Sequence, residues 1–266
     1  MQIIFVALQR ILPHHLLSRI VGALANSRIR VVKNLLIRVF CRIFPVNVSE
    51  AVSSRYEDYP TFNAFFTRTL REGARTVRGK VTAPCDGTVS QAGPITEILE
   101  AKGHSYSLSS LTGILDTDGL ANGSFLTIYL APQDYHRVHM PIAGRLVASR
   151  YIPGKLFSVN PTTASRIADL FAVNERLVME FETDSGPMTL VMVGAMIVAG
   201  IRTVWHDNVY PFRTLAEESF DPPVAFAQGD ELGWFEMGST VIVILPDQPH
   251  WQVNEGSKVR MGNSLA

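Results

Sequence analysis

Acidic residues are missing from the first 49 positions of this 266-residue chain, where the earliest is Glu50. The same stretch carries Arg10, Arg19, Arg28, Arg30, Lys33, Arg38 and Arg42. The whole chain has a formal net charge of zero, so total charge names no partner. The one-sided start, however, implies attraction to an anionic surface. Cysteine is scarce as well. Cys41 and Cys85 are the only two, which excludes a disulfide framework and offers no metal-ligand spacing. Long apolar runs are also lacking. A membrane span needs about 20 predominantly apolar residues, and Arg10, Arg19 and Arg28 interrupt every such run. No basic region precedes the first apolar stretch and no clean small-residue cleavage site follows it, so the start does not read as a secretory signal.

What is present is greasy for its size. Apolar residues make up 47% of the chain and charged residues 18%, against about 25% charge in an average soluble domain. The length suffices for a full core in one large domain, or in one domain with an appendage. Residues 3–45 carry two stripes at helical spacing. Leu8, Ile11, Leu12, Leu16, Leu17, Ile20, Val21 and Leu24 form the first; Val32, Leu35, Leu36, Val39, Phe40 and Ile43 form the second. Pro13 bends or restarts the first helix. Arginines between apolar stripes describe helices lying in a membrane interface, with an ordinary helical cap as the plainer reading. A third short helix is expected from Pro60-Thr61, with Phe62, Phe65, Phe66 and Leu70 as its buried side.

From about residue 80 the texture turns to strands. Val81–Val89 holds an Asp86-Gly87 turn, Phe125–Leu130 is apolar and β-prone, and Leu177–Phe181 and Met188–Val193 flank a hairpin turn at 184–187. Ile197–Trp205 and the β-branched run Val241–Leu245 follow. The expected fold class is α+β: N-terminal amphipathic helices in residues 1–75, then a mainly antiparallel, barrel-like or sandwich-like body in residues 76–266.

Three segments carry reactive side chains: Pro84-Cys85-Asp86-Gly87-Thr88, the run from Asp134 to Pro141 with His136 and His139, and Gly238-Ser239-Thr240. Each alone is weak. Asp-Gly and Gly-Ser-Thr are ordinary turn sequences, and two histidines three apart suit a metal pair, separate acid–base groups or plain buried polar residues. Together, Asp86, His139 and Ser239 are the parts of a nucleophilic triad, which assembles in space whatever its chain order. A membrane-associated serine hydrolase, a non-catalytic membrane-tethered β module and a histidine metalloprotein all stay open at this point. The Gly-x-Ser-x-Gly elbow is absent, and no third metal ligand has persuasive spacing.

The blocks TFNAFFTRTLR (61–71), PCDGTVSQ (84–91), KGHSYSL (102–108), YLAPQDYHRVHMP (129–141), YIPGKLFSVN (151–160), LFAVNER (170–176), VGAMIVAGIRTVW (193–205) and MGSTVIVI (237–244) make the chain resemble the bacterial phosphatidylserine decarboxylase proenzymes. The blocks span nearly the whole chain, with small departures at Met237 and Cys85. The resemblance implies self-cleavage between Gly238 and Ser239. Ser239 attacks the Gly238 carbonyl, with His139 as base and Asp86 orienting it. The ester then eliminates, leaving a covalent pyruvoyl cofactor at residue 239, a large subunit of residues 1–238 and a small one of 239–266. It further implies that the amine of phosphatidylserine forms a Schiff base there, that carbon dioxide leaves, and that His136 supplies the proton giving phosphatidylethanolamine. No metal is implied. The expected partners are phosphatidylserine, an anionic membrane surface and the two subunits of one precursor, with homo-oligomerisation open and nucleic acid excluded. The expected location is peripheral, on the cytoplasmic face of the membrane.

Overall fold

A computed structural model describes residues 9, 13–95, 98–101, 104–115, 117–120, 122–164, 166–195, 200–210, 214–236 and 239–266. Helix α1 (His14–Ala25) begins directly after Pro13, whose carbonyl accepts the Leu17 N–H at 3.0 Å. Proline thus restarts the helix, because it needs no N–H of its own at that end. Helix α2 (Arg30–Ile43) follows. Helix α3 (Phe62–Phe66) is started by Thr61, whose side chain accepts the Ala64 N–H at 3.0 Å. Ala25, Ile37, Phe62, Phe65 and Phe66 pack the three helices into one apolar cluster. Full burial of each Phe stabilises by about 1.5–3 kcal/mol. Leucines 16 and 24, Ile20, Val31, Leu35, Val39 and Ile43 remain exposed on the outer side of α1 and α2.

The strands are β1 (Gly87–Pro94), β2 (Ile98–Ala101), β3 (His104–Ser107), β4 (Ser124–Leu130), β5 (Arg137–His139), β6 (Gly144–Ile152), β7 (Arg176–Thr183), β8 (Gly186–Gly194), β9 (Ile201–Thr203), β10 (His206–Tyr210), β11 (Ala216–Phe226), β12 (Glu231–Phe235), β13 (Ser239–Leu245) and β14 (Lys258–Val259). Among the described residues, an eight-stranded antiparallel sheet runs β11-β6-β7-β8-β13-β4-β1-β14, and a smaller one runs β10-β9-β12-β5. The large sheet does not close into a barrel; the small sheet lies on one of its faces. The expected hairpin is β7–β8, where Thr183 pairs with Gly186 across a two-residue loop and Gly186 adopts φ 110°. The Asp86-Gly87 pair differs from the expected turn, since Gly87 opens β1. A Cβ there would lie 2.5 Å from the Tyr129 carbonyl oxygen, so glycine serves close strand approach. Part of the expected strand 197–205 falls outside the described residues.

Strand β13 is buried along its whole length. Its alternate side chains serve two cores, which is why it reads as a continuous apolar run. Val241, Val243 and Leu245 join Val138, Ile201, Leu232 and Phe235 beneath the small sheet. Ile242 and Ile244 join Leu108, Leu111, Leu170 and Phe171 on the other face.

Candidate active site

Ser239 is the first residue of β13 and is fully buried. Its neighbours across the ladder are Leu130 of β4 and Gly194 of β8. By alternation its side chain shares the face of Val241 and Val243. Among the described residues, the Ser239 hydroxyl has no hydrogen-bond partner. An unsatisfied buried hydroxyl costs about 1–3 kcal/mol, so its persistence in mid-sheet calls for a reason beyond packing. Met237 and Gly238 lie outside the described residues, so the expected scissile bond is located here from its Ser239 side.

The His139 side chain is buried, and both of its ring nitrogens are engaged. Nδ1 donates to the Gly229 carbonyl at 2.8 Å, and Nε2 accepts from the Tyr135 hydroxyl at 3.0 Å. Nε2 therefore carries the lone pair. Burial holds the imidazole below its ordinary pKa and keeps it neutral; the Gly229 bond and the Glu231 and Asp86 carboxylates pull the other way. The His139 backbone N–H donates to the Pro84 carbonyl at 2.7 Å, which ties strand β5 to the segment bearing Asp86.

Asp86 is clamped from two other directions. Arg75 donates to Oδ2 at 2.7 Å, and the Met261 N–H donates to Oδ1 at 2.8 Å. Arg75 also pairs with Glu50 at 2.8 Å, and its guanidinium lies 6.0 Å from the Tyr135 ring centroid. The structure gathers Asp86, Arg75 and Tyr135 around a cavity of about 340 Å³ that Arg68, Asp134 and Lys258 also line. It places no hydrogen bond between Asp86 and His139. Beside Asp86, burial pushes the Cys85 thiol well up, which keeps it protonated and unreactive.

His136 is fully buried against Phe66, ring centroids 4.1 Å apart. Its Nδ1 donates to the Asp134 carbonyl at 2.9 Å, while Nε2 has no partner. Burial lowers its pKa to about 3, the bond to Asp134 opposes this, and nearby Arg68 adds to the lowering. Arg68 is itself buried and donates to the Gln133 and Asp134 carbonyls at 3.1 and 3.4 Å. Arg137 donates to the Thr67 carbonyl at 2.9 Å. The helical N-terminal region is thereby docked on the histidine segment.

Sequence reasoning missed Tyr135, Arg75 and Gly229. Tyr135 lies inside the block at 129–141, so its position is legible in the sequence and its role is not. Arg75 and Gly229 give no local signal, because their partners Asp86 and His139 lie 11 and 90 residues away, beyond the reach of any helix or strand period.

Comparison with known proteins fits this geometry. A family model described as Phosphatidylserine decarboxylase matches residues 62–266, and one described as PSD matches residues 4–45. A phosphatidylserine decarboxylase proenzyme of Pseudomonas fluorescens Pf-5 is 48% identical, covering 98% of this chain and 96% of the relative. One of Pseudomonas putida F1 is 47% identical, covering 99% and 97%. One of Pseudomonas entomophila is 48% identical over the same shares.

Proposed function

This chain belongs to the phosphatidylserine decarboxylase family, and we propose that it cuts itself between Gly238 and Ser239, carries a pyruvoyl group made from Ser239, and converts phosphatidylserine to phosphatidylethanolamine and carbon dioxide. The observation that carries this reading is the unpartnered Ser239 hydroxyl, buried between β4 and β8. Ser239 is held between two strands at the head of β13, directly after the Gly238–Ser239 peptide bond. It is well placed to attack the peptide bond preceding it.

A serine hydroxyl needs a base at neutral pH, and His139 is kept neutral by its burial. Its Nε2 is the atom that accepts the Ser239 proton. Tyr135 donates to that nitrogen in the resting chain, so its hydroxyl must turn aside to free the lone pair before the Ser239 proton arrives. The Asp86 carboxylate favours the imidazolium that forms, acting through its field and through the Pro84 link. Such a base contributes roughly 10²–10⁴-fold in rate.

The residues fit the group they would carry. Residue 239 sits at the head of a strand held on both sides, so the new chain end stays rigid after the cut. A pyruvoyl group at residue 239 would supply a ketone for the substrate amine and a sink for the electrons left by departing carbon dioxide. His136 holds a lone pair on a buried, unpartnered Nε2, so it must gain a proton before giving one. In this reading it takes that proton from the ammonium of the arriving lipid and returns it to the carbon that loses carbon dioxide. Residues 1–75 form the membrane-associating part, placing the site at the cytoplasmic face of an anionic membrane.

Intact-mass measurement of the purified protein tests the reading. The expected result is two polypeptides meeting at 238/239, the smaller blocked by a carbonyl that borohydride reduces. A single unmodified chain that hydrolyses lipid rejects it.

A further inference from the structure

Glu175 is buried to 1% exposure, and the self-cleavage scheme above gives it no task. The Tyr151 hydroxyl donates to its Oε2 at 3.2 Å, while Oε1 has no partner. The carboxyl lies over Gly194. A Cβ at Gly194 would meet Glu175 Cγ at 2.9 Å and Oε1 at 3.1 Å. Gly194 in turn is the ladder partner of Ser239. Its N–H donates to the Glu175 carbonyl at 2.9 Å, and its own carbonyl accepts from Asn174 at 2.9 Å. Both backbone groups of Gly194 thus point away from β13. The Gly194–Ser239 pair is therefore of the non-hydrogen-bonded kind, with α-carbons about 4.5 Å apart and their hydrogens facing. Glycine leaves open the space that a side chain at 194 would take, and the Glu175 carboxyl fills it.

We propose that Glu175 is the base for the elimination step of self-cleavage, its carboxyl held over Gly194 beside the α-carbon of residue 239. The proposal rests on the self-cleavage reading. Once Ser239 has become an ester, Glu175 takes the Cα proton. The Cα–H electron pair forms the Cα=Cβ bond, the Cβ–Oγ bond breaks, and Gly238 leaves as a carboxylate. Burial supports the role by raising the Glu175 pKa to about 7, with the Tyr151 bond pulling it back. A base is most effective with its pKa near working pH. Tyr151 on β6 faces the carboxyl. The neighbouring Arg176 is turned to the Leu111, Asn174 and Ser110 carbonyls.

The test uses neutral hydroxylamine, which cuts esters but spares peptide bonds. Glu175→Gln should form the ester and stall there, with elimination slower by roughly 10²-fold or more. Hydroxylamine should then release a 239–266 fragment that still begins with serine, identified by mass. His139→Ala, blocked earlier, should resist hydroxylamine. In the wild-type chain the ester should last longer at pH 6 than at pH 8, and Tyr151→Phe should move that dependence to higher pH. Wild-type cleavage by Glu175→Gln overturns the proposal, as does a cooperatively folded Glu175→Gln chain that hydroxylamine leaves whole. Should Glu175→Gln not fold, an unchanged pH dependence in Tyr151→Phe overturns it. A wild-type chain that never cuts rejects the self-cleavage reading instead.

Discussion

Ser239 and His136 each bury a polar atom that nothing in the described structure satisfies. For Ser239 this makes a direct prediction. Ser239→Ala replaces an unpaired hydroxyl by a methyl-sized side chain, so the uncut protein should match or exceed the precursor in stability while failing to cleave. Thermal unfolding and intact mass read the two effects separately. For His136 the expectation is a division of labour: His136→Ala should be cut yet release no carbon dioxide from phosphatidylserine. Cut, fully active His136→Ala would remove its assigned role. Burial of His136 also has a pH signature. Its folded pKa is about 3, against about 6.5 when unfolded, so the unfolded state binds more protons between these values. Stability contributed by the neutral ring is present above pH 6.5 and is lost as pH falls toward 3. Glu175 acts with the opposite sign. Its raised value of about 7 means that stability falls as pH rises from about 4.3 to 7. Denaturant titrations across pH should show a steeper acid loss in Glu175→Gln than in the parent, and a shallower one in His136→Phe.

At the scale of elements, α1 and α2 divide their apolar residues between two jobs. Ile37 turns inward onto the phenylalanines of α3, while Leu16, Ile20 and Leu24, and likewise Leu35, Val39 and Ile43, recur every four residues on the exposed side. A stripe left uncovered by the fold, edged by Arg19, Arg38 and Arg42 and free of acids, fits an anionic interface. No described helix is long and apolar enough to cross a membrane. Removing residues 1–45 should release the protein from anionic vesicles in a flotation assay. The double variant Leu35→Asp/Val39→Asp should weaken binding markedly while leaving the fold intact, because neither side chain is buried. Unchanged binding in both would refute the interfacial role. Helix α3 adds a link between this surface and the site, since Phe66 packs on His136 and Thr67 receives Arg137. Phe66→Ala should cost about 3–5 kcal/mol and admit water to the ring, raising the His136 pKa.

For the whole molecule, the position of β13 decides what the cut does. The strand lies between β4 and β8 with a core on each face, and the segment after it returns to β1 through β14 and to Val81 through the Leu265 N–H at 2.8 Å. The proposed cleavage at 238/239 would break one covalent bond and leave those ladders in place. The two polypeptides should co-elute under native conditions and separate only in denaturant. Dissociation in dilute buffer would show that the ladders do not suffice. The buried position of Ser239 at the head of β13 favours the proposed self-reaction, because the peptide bond preceding it is the nearest reaction partner the chain itself supplies.

The sequence by itself determined the elements whose causes are local. The proline restart of α1, the Thr61 start of α3, the β7–β8 hairpin and the apolar run of β13 follow from backbone chemistry and side-chain period, and each formed close to where it was expected. The ordered motif blocks were enough to point to Ser239, His139, Asp86 and His136. Tertiary structure alone decided the partners of those residues. Asp86 is held by Arg75 and the Met261 N–H, and His139 by Gly229 and Tyr135, through contacts that no spacing encodes. The same holds for Glu175, whose carboxyl lies over Gly194, the ladder partner of Ser239. Strand pairing joins residues far apart in the chain, and burial then sets which of their protons can move.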